Sequence, residues 1–300
     1  MESLTLRRIG AALIGGLLLL IHVGSAPAAE AIRKPHALSL RKAGGRTLSF
    51  PSDVAIDRRG VVFLLDSGNR SIAIYSPKGE FIREIQGRGI WKDPLGVGVT
   101  SDGNILIADG EGGRVFEIDL AGRLKKEYVA GKGARLTGVC AYGDSIYVVD
   151  NRNHRIVMFK RKGGGQESWG RKGDHAGEFD TPFRIAADAS GRIFVTDVMN
   201  ARIQWFSAFG QYLGTLKRFG AGAGRIFRPT GLAIDNRGRI WVGDSYTGLV
   251  QAFDEKGNFA QAVSADSRPS IFGDPSGLAD GAEGIWIADQ RDGVLALSRQ

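Results

Sequence analysis

The apolar positions of this chain fall in short runs separated by Gly, Asp, Asn and Pro. The runs are rich in β-branched and aromatic residues, so they predict strands joined by tight turns. One run recurs. Ile193-Phe194-Val195-Thr196-Asp197 corresponds to Ile146-Tyr147-Val148-Val149-Asp150, Ile240-Trp241-Val242-Gly243-Asp244 and Ile285-Trp286-Ile287-Ala288-Asp289. Looser copies end at Asp66 and Asp109. The six aspartates are spaced by 43, 41, 47, 47 and 45 residues.

A second landmark lies 14 or 15 residues before each Asp: Pro51, Pro94, Leu136, Pro182, Pro229 and Pro275. Two positions later stands Gly96, Gly138, Gly231 or Gly277 in four copies. An apolar run, a turn and the aromatic strand follow, then a third run such as Ile203 to Phe206. A fourth segment is legible after Gly79, Gly210 and Gly257. Four short strands in about 45 residues is the spacing of a propeller blade. The predicted fold is all-β, a six-bladed β-propeller of four-stranded blades. The sixth copy ends after its third strand, and His36–Leu40 is a candidate to supply the fourth. An N-terminal strand closing the last blade would lock the ring and hide its edges.

At this point the motifs resemble the NHL repeat. They are Pro-x-Gly-Leu-Ala-Ile-Asp at Pro229, Gly-x-Ile-aromatic-Val-x-Asp ending at Asp244, and Asn-x-Arg-Ile-Gln-x-Phe from Asn200. The connection through Gly170, Gly173, Gly177, Glu178 and Phe179 to Pro182 is similar as well. The resemblance covers residues 36–300 and implies a propeller. It does not choose among RNA-binding, protein-binding, sensor and lyase roles, because one fold hosts many functions.

The start of the chain changes the expected location. Arg7 and Arg8, an apolar run from Ile9 to Val23, and Ala26-Pro27-Ala28 make residues 1–28 a predicted signal peptide. Residues 29–35 form a short linker and 36–300 the propeller. The expected location is periplasmic or extracellular, with no stable membrane insertion after cleavage. An uncleaved anchor is the other reading. Cys140 is the single cysteine, so no intrachain disulfide can form. Net charge is +8, and the signal takes away a net +1. That balance favours an acidic protein or anionic glycan partner, or else a surface tuned for solubility. Export argues against nucleic acid. A monomer is expected.

Function should lie where the copies diverge. Asp197 recurs six times and reads as a turn cap, with Arg202 its neighbour. Phe63, Tyr147, Phe194, Trp241 and Trp286 share one strand position and read as inter-blade core. Asp53 and Arg184 break the Gly rule in blades one and four, which lie opposite each other. Either they hold a small polar ligand between them at the channel mouth, or each points into solvent. On the same, upper face the turns carry Asn69, Arg70, Asn151, Arg152, Asn153, Met199, Asn200, Tyr246 and Arg291, residue types suited to anionic or sugar-rich partners. Arg171 and Lys172 lie on the connection into blade four. The other face has Lys78, Lys160, Arg161, Lys162 and Lys256, so positive charge is not one-sided.

Catalytic motifs are sparse. No G-x-S-x-G, phosphate loop or paired-Cys motif is present, and no cofactor is expected. His154 and His175, with Asp174 and Glu178, are weak metal candidates on the upper face. The residues at the channel mouth do not make a ring of acids that would hold calcium. The leading expectation is an exported, non-enzymatic binding or scaffold protein. The alternative is a channel-mouth hydrolase or lyase with a metal site.

Overall fold

The computed structural model describes residues 38–87, 89–265, 268–269, 272–282, 284–291 and 293–298. The expected signal peptide and linker lie outside the described residues. So do His36 and Ala37 of the expected closing strand.

Six four-stranded antiparallel sheets follow one another along the chain. Blade 1 comprises Pro51–Ile56, Val62–Asp66, Ser71–Tyr75 and Phe81–Gln86. Blade 2 comprises Pro94–Val99, Ile105–Asp109, Arg114–Ile118 and Leu124–Val129. Blade 3 comprises Leu136–Tyr142, Ser145–Asp150, Arg155–Lys160 and Gln166–Trp169. Blade 4 comprises Pro182–Ala187, Ile193–Asp197, Arg202–Phe206 and Tyr212–Lys217. Blade 5 comprises Pro229–Ile234, Ile240–Asp244, Leu249–Phe253 and Phe259–Ala262. Blade 6 takes Pro275–Gly281, Gly284–Asp289 and Gly293–Ser298 from the C-terminal end and Leu38–Leu40 from the N-terminal end. Leu38 pairs with Ala296 and Leu40 with Val294, so the ring is closed by the strand expected to close it. Two short hairpins, Lys42–Ala43 with Arg46–Thr47 and Ser264–Ala265 with Arg268–Pro269, were not legible in the repeat.

The core is cyclic. Each hydrophobic cluster joins two neighbouring blades: Phe63 and Ile72 of blade 1 pack with Ile105 and Phe116 of blade 2. Ala288 and Trp286 of blade 6 pack with Val62 and Tyr75 of blade 1. The five aromatics at the shared strand position are at most 3% exposed, as inter-blade core requires. Burying each contributes about 1.5–3 kcal/mol.

All six repeated aspartates are at most 1% exposed. Each caps its own blade, and in more ways than the turn alone predicts. Asp244 accepts the N–H groups of Phe227 and Arg228 before the first strand, and those of Tyr246 and Thr247 after the second. Asp66 does the same for Ser49, Phe50 and Asn69. The carboxylate thus ties the incoming connection to the outgoing turn. Arg202 strengthens this in blade 4, bonding Asp197 at 2.7 Å and the carbonyls of Asp174, His175 and Glu178. Arg155 repeats the pairing with Asp150 at 2.9 Å, whereas Arg114 turns to Glu127 instead.

The Gly rule has a steric origin. The innermost strands of adjacent blades approach so closely that a Cβ on Gly138 would lie 2.9 Å from the Phe183 carbonyl oxygen. One on Gly231 would lie 2.5 Å from that of Pro275.

Candidate functional site

The six innermost strands line the central channel. In its lower half they offer small aliphatic residues, among them Val54, Val97, Val139, Ala186, Leu232 and Ala279, around a cavity of about 250 Å³. In its upper half they offer Ser52, Leu95, Thr137, Phe183, Thr230 and Ser276, the residues that follow each landmark. Between the halves lie the two residues that break the Gly rule.

Arg184 is 3% exposed and Asp53 6%. Neither points into solvent. Arg184 Nε is 3.5 Å from Asp53 Oδ1, so the heads have no room for a ligand between them. The guanidinium donates to the carbonyls of Ser276 at 2.9 Å, Ser52 at 2.5 Å and Thr137, reaching blades 6, 1 and 3 from blade 4. Asp53 accepts the N–H groups of Val54 and, from blade 2, Val97, both at 3.0 Å. Burial pushes the Asp53 carboxyl up, against the charge of Arg184 and the two N–H bonds. It pushes the Arg184 guanidinium down, against the Asp53 charge. The pair is a plug that binds five blades together and floors the upper half of the channel.

Above the plug is a vestibule of about 540 Å³. Arg135, Arg228 and Arg291 stand on its wall with Asp274, Asn151 and Gln290. Arg135 lies 3.6 Å from Asp93. Arg228 and Arg291 are exposed and form no ion pair among the described residues. Asp274 Oδ1 and Thr230 Oγ1 are buried atoms without a hydrogen-bond partner among the described residues. The Asp274 carboxyl is raised by burial and by the charge of Asp289, against the pull of Arg184, Arg228 and Arg291. Outside the vestibule, Phe219 and Phe227 on the connection into blade 5 and Tyr246 in its turn form a series, the first pair tilted with centroids 5.4 Å apart and the second stacked at 4.2 Å.

Of the residues expected to bind ligand, Arg184 and Arg291 line the vestibule and Tyr246 adjoins it through Ser245. Asp53 lies beneath it and lines the lower half. Asn153 and Asn200 belong to the scaffold: each donates its carboxamide N–H to its blade's capping aspartate, Asp150 at 2.8 Å and Asp197 at 2.9 Å. Asn69 does the same toward Asp66. Arg70 occupies a left-handed turn position with φ of 50° and, like Arg152 and Met199, is exposed outside the vestibule lining. Asn151 donates to the Pro182 carbonyl at its wall.

The two histidines do not form one centre. His154 Nδ1 accepts the Thr181 N–H at 3.1 Å. His175 instead stands with Asp174 and Glu178, ligand atoms within 4.8 Å of one another, on an exposed connection. Glu178 is also held by Arg171 at 2.8 Å. Arg135, Arg228 and Asp274 were missed by the sequence reading. They occupy the position just before each landmark, which reads Phe50, Asp93, Arg135, Thr181, Arg228 and Asp274 and so differs in almost every copy.

Comparison with known proteins agrees with this architecture. Residues 228–253 match the NHL repeat model, and residues 134–217 match a 6-bladed beta-propeller family. The ring is a β-propeller, and one of its repeats matches the NHL model. Similar solved structures include a streptogramin B lyase, 19% identical, covering 81% of this chain and 78% of that one with a TM-score of 0.61. Virginiamycin B lyase from Staphylococcus aureus is 15% identical over 88% of this chain and 99% of its own, with a TM-score of 0.63. A gluconolactonase from Xanthomonas campestris is 14% identical over 89% and 91%, with a TM-score of 0.66. At such identities these likenesses describe the fold alone.

Proposed function

We propose that this NHL-type propeller is an exported binding module that holds an anionic group in its upper vestibule. The observation that carries the reading is the pair Arg228 and Arg291, cationic heads that form no ion pair among the described residues, on the wall of a preformed cavity. A guanidinium presents a planar fork of donors that matches a carboxylate or phosphate. Arg184 below adds positive charge, but its donors are committed to carbonyls, so it floors the site and does not grip the ligand. The expected export signal supports a periplasmic or extracellular setting for such capture.

Calorimetric titration with glutarate, a small dicarboxylate, tests the reading. Glutarate should bind in 1:1 ratio, and Arg228→Ala or Arg291→Ala should weaken it by about tenfold each, the worth of one charge-assisted bond. Binding unaffected by both substitutions would sink the proposal. A second reading, that of a hydrolase or lyase, is favoured by Asp274: a carboxyl raised by burial, with one oxygen that has no hydrogen-bond partner among the described residues, near cationic groups. Such a group suits a general base. Asp274→Asn separates the readings. A binding module keeps or improves its affinity for an anion, whereas an enzyme loses turnover.

A further inference from the structure

We infer that the anionic ligand is an acidic glycan, a chain of sugar rings bearing carboxylates, laid from the vestibule onto the aromatic series of blade 5. This rests on the anion-binding reading above and adds the class of ligand. Three independent demands meet at one place. Arg228 and Arg291 call for a carboxylate. The polar wall of Asn151, Ser245 and Gln290 calls for partners that both donate and accept hydrogen bonds. A simple carboxylic acid answers the first demand and leaves the second open. Hydroxyl groups answer it.

The third demand is apolar and flat. Phe227 precedes Arg228 and Tyr246 follows Ser245, both of which line the vestibule, so the aromatic series starts at its rim. Tyr246 is 64% exposed and Phe219 63%. Phe227 and Tyr246 stack at 25° between planes, and Phe219 extends the series beyond Phe227 at 31°. Phe227 is half-buried between them, so the exposed rings at the two ends, Tyr246 and Phe219, mark the contact surface. A sugar ring has a C–H face that stacks on an aromatic ring and an edge of hydroxyls. With a carboxylate it satisfies all three demands. An acidic peptide supplies carboxylates and backbone donors, but it has no C–H ring face to set against the exposed rings of the aromatic ladder.

The test uses four probes with the full mature chain: tetragalacturonate, the uncharged maltotetraose, tetraglutamate and glutarate, each titrated by calorimetry. Tetragalacturonate should bind at least about tenfold more tightly than glutarate, and maltotetraose should bind far more weakly. Tyr246→Ala and Phe219→Ala, both on the surface, should weaken tetragalacturonate by about fivefold and leave glutarate unchanged. Circular dichroism of each variant should match the parent. If glutarate binds through Arg228 but tetragalacturonate gains nothing over it, or ignores the ladder variants, the glycan inference falls and the anion reading stands. If tetraglutamate or maltotetraose binds as tightly as tetragalacturonate, the glycan inference likewise falls. If neither glutarate nor tetragalacturonate binds, both readings fall.

Discussion

The centre and the lower face of the ring use arginine in opposite ways. Arg184, at the centre, is surrounded by main-chain carbonyls, and its one carboxylate neighbour, Asp53, lies 3.5 Å from Nε. Arg161, on the lower face, is bound to carboxylates: Glu117 at 2.6 Å and Asp102 at 2.9 Å. Glu117 also receives the Tyr128 hydroxyl and the Asn104 carboxamide, so this cluster joins blades 2 and 3 with its charges satisfied. The first arrangement is a plug made where a repeated glycine was abandoned. The second is an interface pair on a scaffold that kept its rule. The comparison teaches that a break in the repeat, more than charge itself, marks where the ring builds something its blades do not share, here a central tie across five of them.

The largest effect should come from splitting the plug. Arg184→Ala leaves Asp53 buried without its cation and frees three carbonyls, and should cost about 3–5 kcal/mol of stability. Asp53→Ala leaves the cation buried in the same way. The double change Asp53→Gly with Arg184→Gly returns both positions to the residue found in the other four copies. It should recover most of that loss, because replacing a buried pair together is far milder than breaking it. It should also join the two halves of the channel. Chemical denaturation of the three variants checks the order. A double variant as unstable as Arg184→Ala would mean that the carbonyl contacts, and not the charge pair, hold the centre.

This asymmetry also explains how much could be read from the sequence. The fold was legible because six copies of one strand–turn–strand pattern place the same Asp at the same register, and each is buried in the same role. The fourth strands of blades 2 and 3 were not. Leu124–Val129 exposes five of its six residues, so no apolar alternation marks it. Asp53 and Arg184 were legible as exceptions, and their placement on opposite blades followed from counting. Their direct contact was not legible, since it depends on the closing radius of the ring. Asn153 and Asn200, expected as ligand contacts, donate to the capping aspartates, and both stand three residues after one, as Asn69 does. That recurrence was the signal of a scaffold role. The reverse signal, a column varying between Phe50, Asp93, Arg135, Thr181, Arg228 and Asp274, pointed to the vestibule and went unread.

The lower-face cluster sharpens the contrast through pH. Burial alone would raise the Glu117 carboxyl, but the bonds from Arg161, Tyr128 and Asn104 outweigh it and hold it below the usual 4.5. The Arg161 bond likewise lowers Asp102 to about 2. The unfolded chain therefore binds more protons than the native one as pH falls below 4.5, and stability falls with it. Above the ordinary carboxyl range the contribution is fully present. Arg161→Met should be less stable than the parent at neutral pH, and the gap should shrink as pH falls through that window. Thermal unfolding across pH 7 to about 2.5 measures it. A constant gap would show that Arg161 acts through packing alone.

The smallest expected effect lies in the turns that both faces depend on. Four residues after each capping Asp the backbone is left-handed in every copy: Arg70, Gly113, His154, Ala201, Gly248 and Gly293. Glycine adopts this region freely, whereas other residues pay about 1–2 kcal/mol. Arg70 is exposed, its side chain makes no hydrogen bond among the described residues, and its backbone bonds to Ser67 and Gly87 are open to glycine as well, so Arg70→Gly should raise stability by about 0.5 kcal/mol after the added freedom of the unfolded chain is offset. His154→Gly removes the same strain but also the acceptor for the Thr181 N–H, in the connection that leads to Arg184. It should therefore lose stability where Arg70→Gly gains it. A matched pair of denaturation curves decides the point: if both variants gain equally, His154 is a turn residue like any other, and the connection into blade 4 owes nothing to its ring.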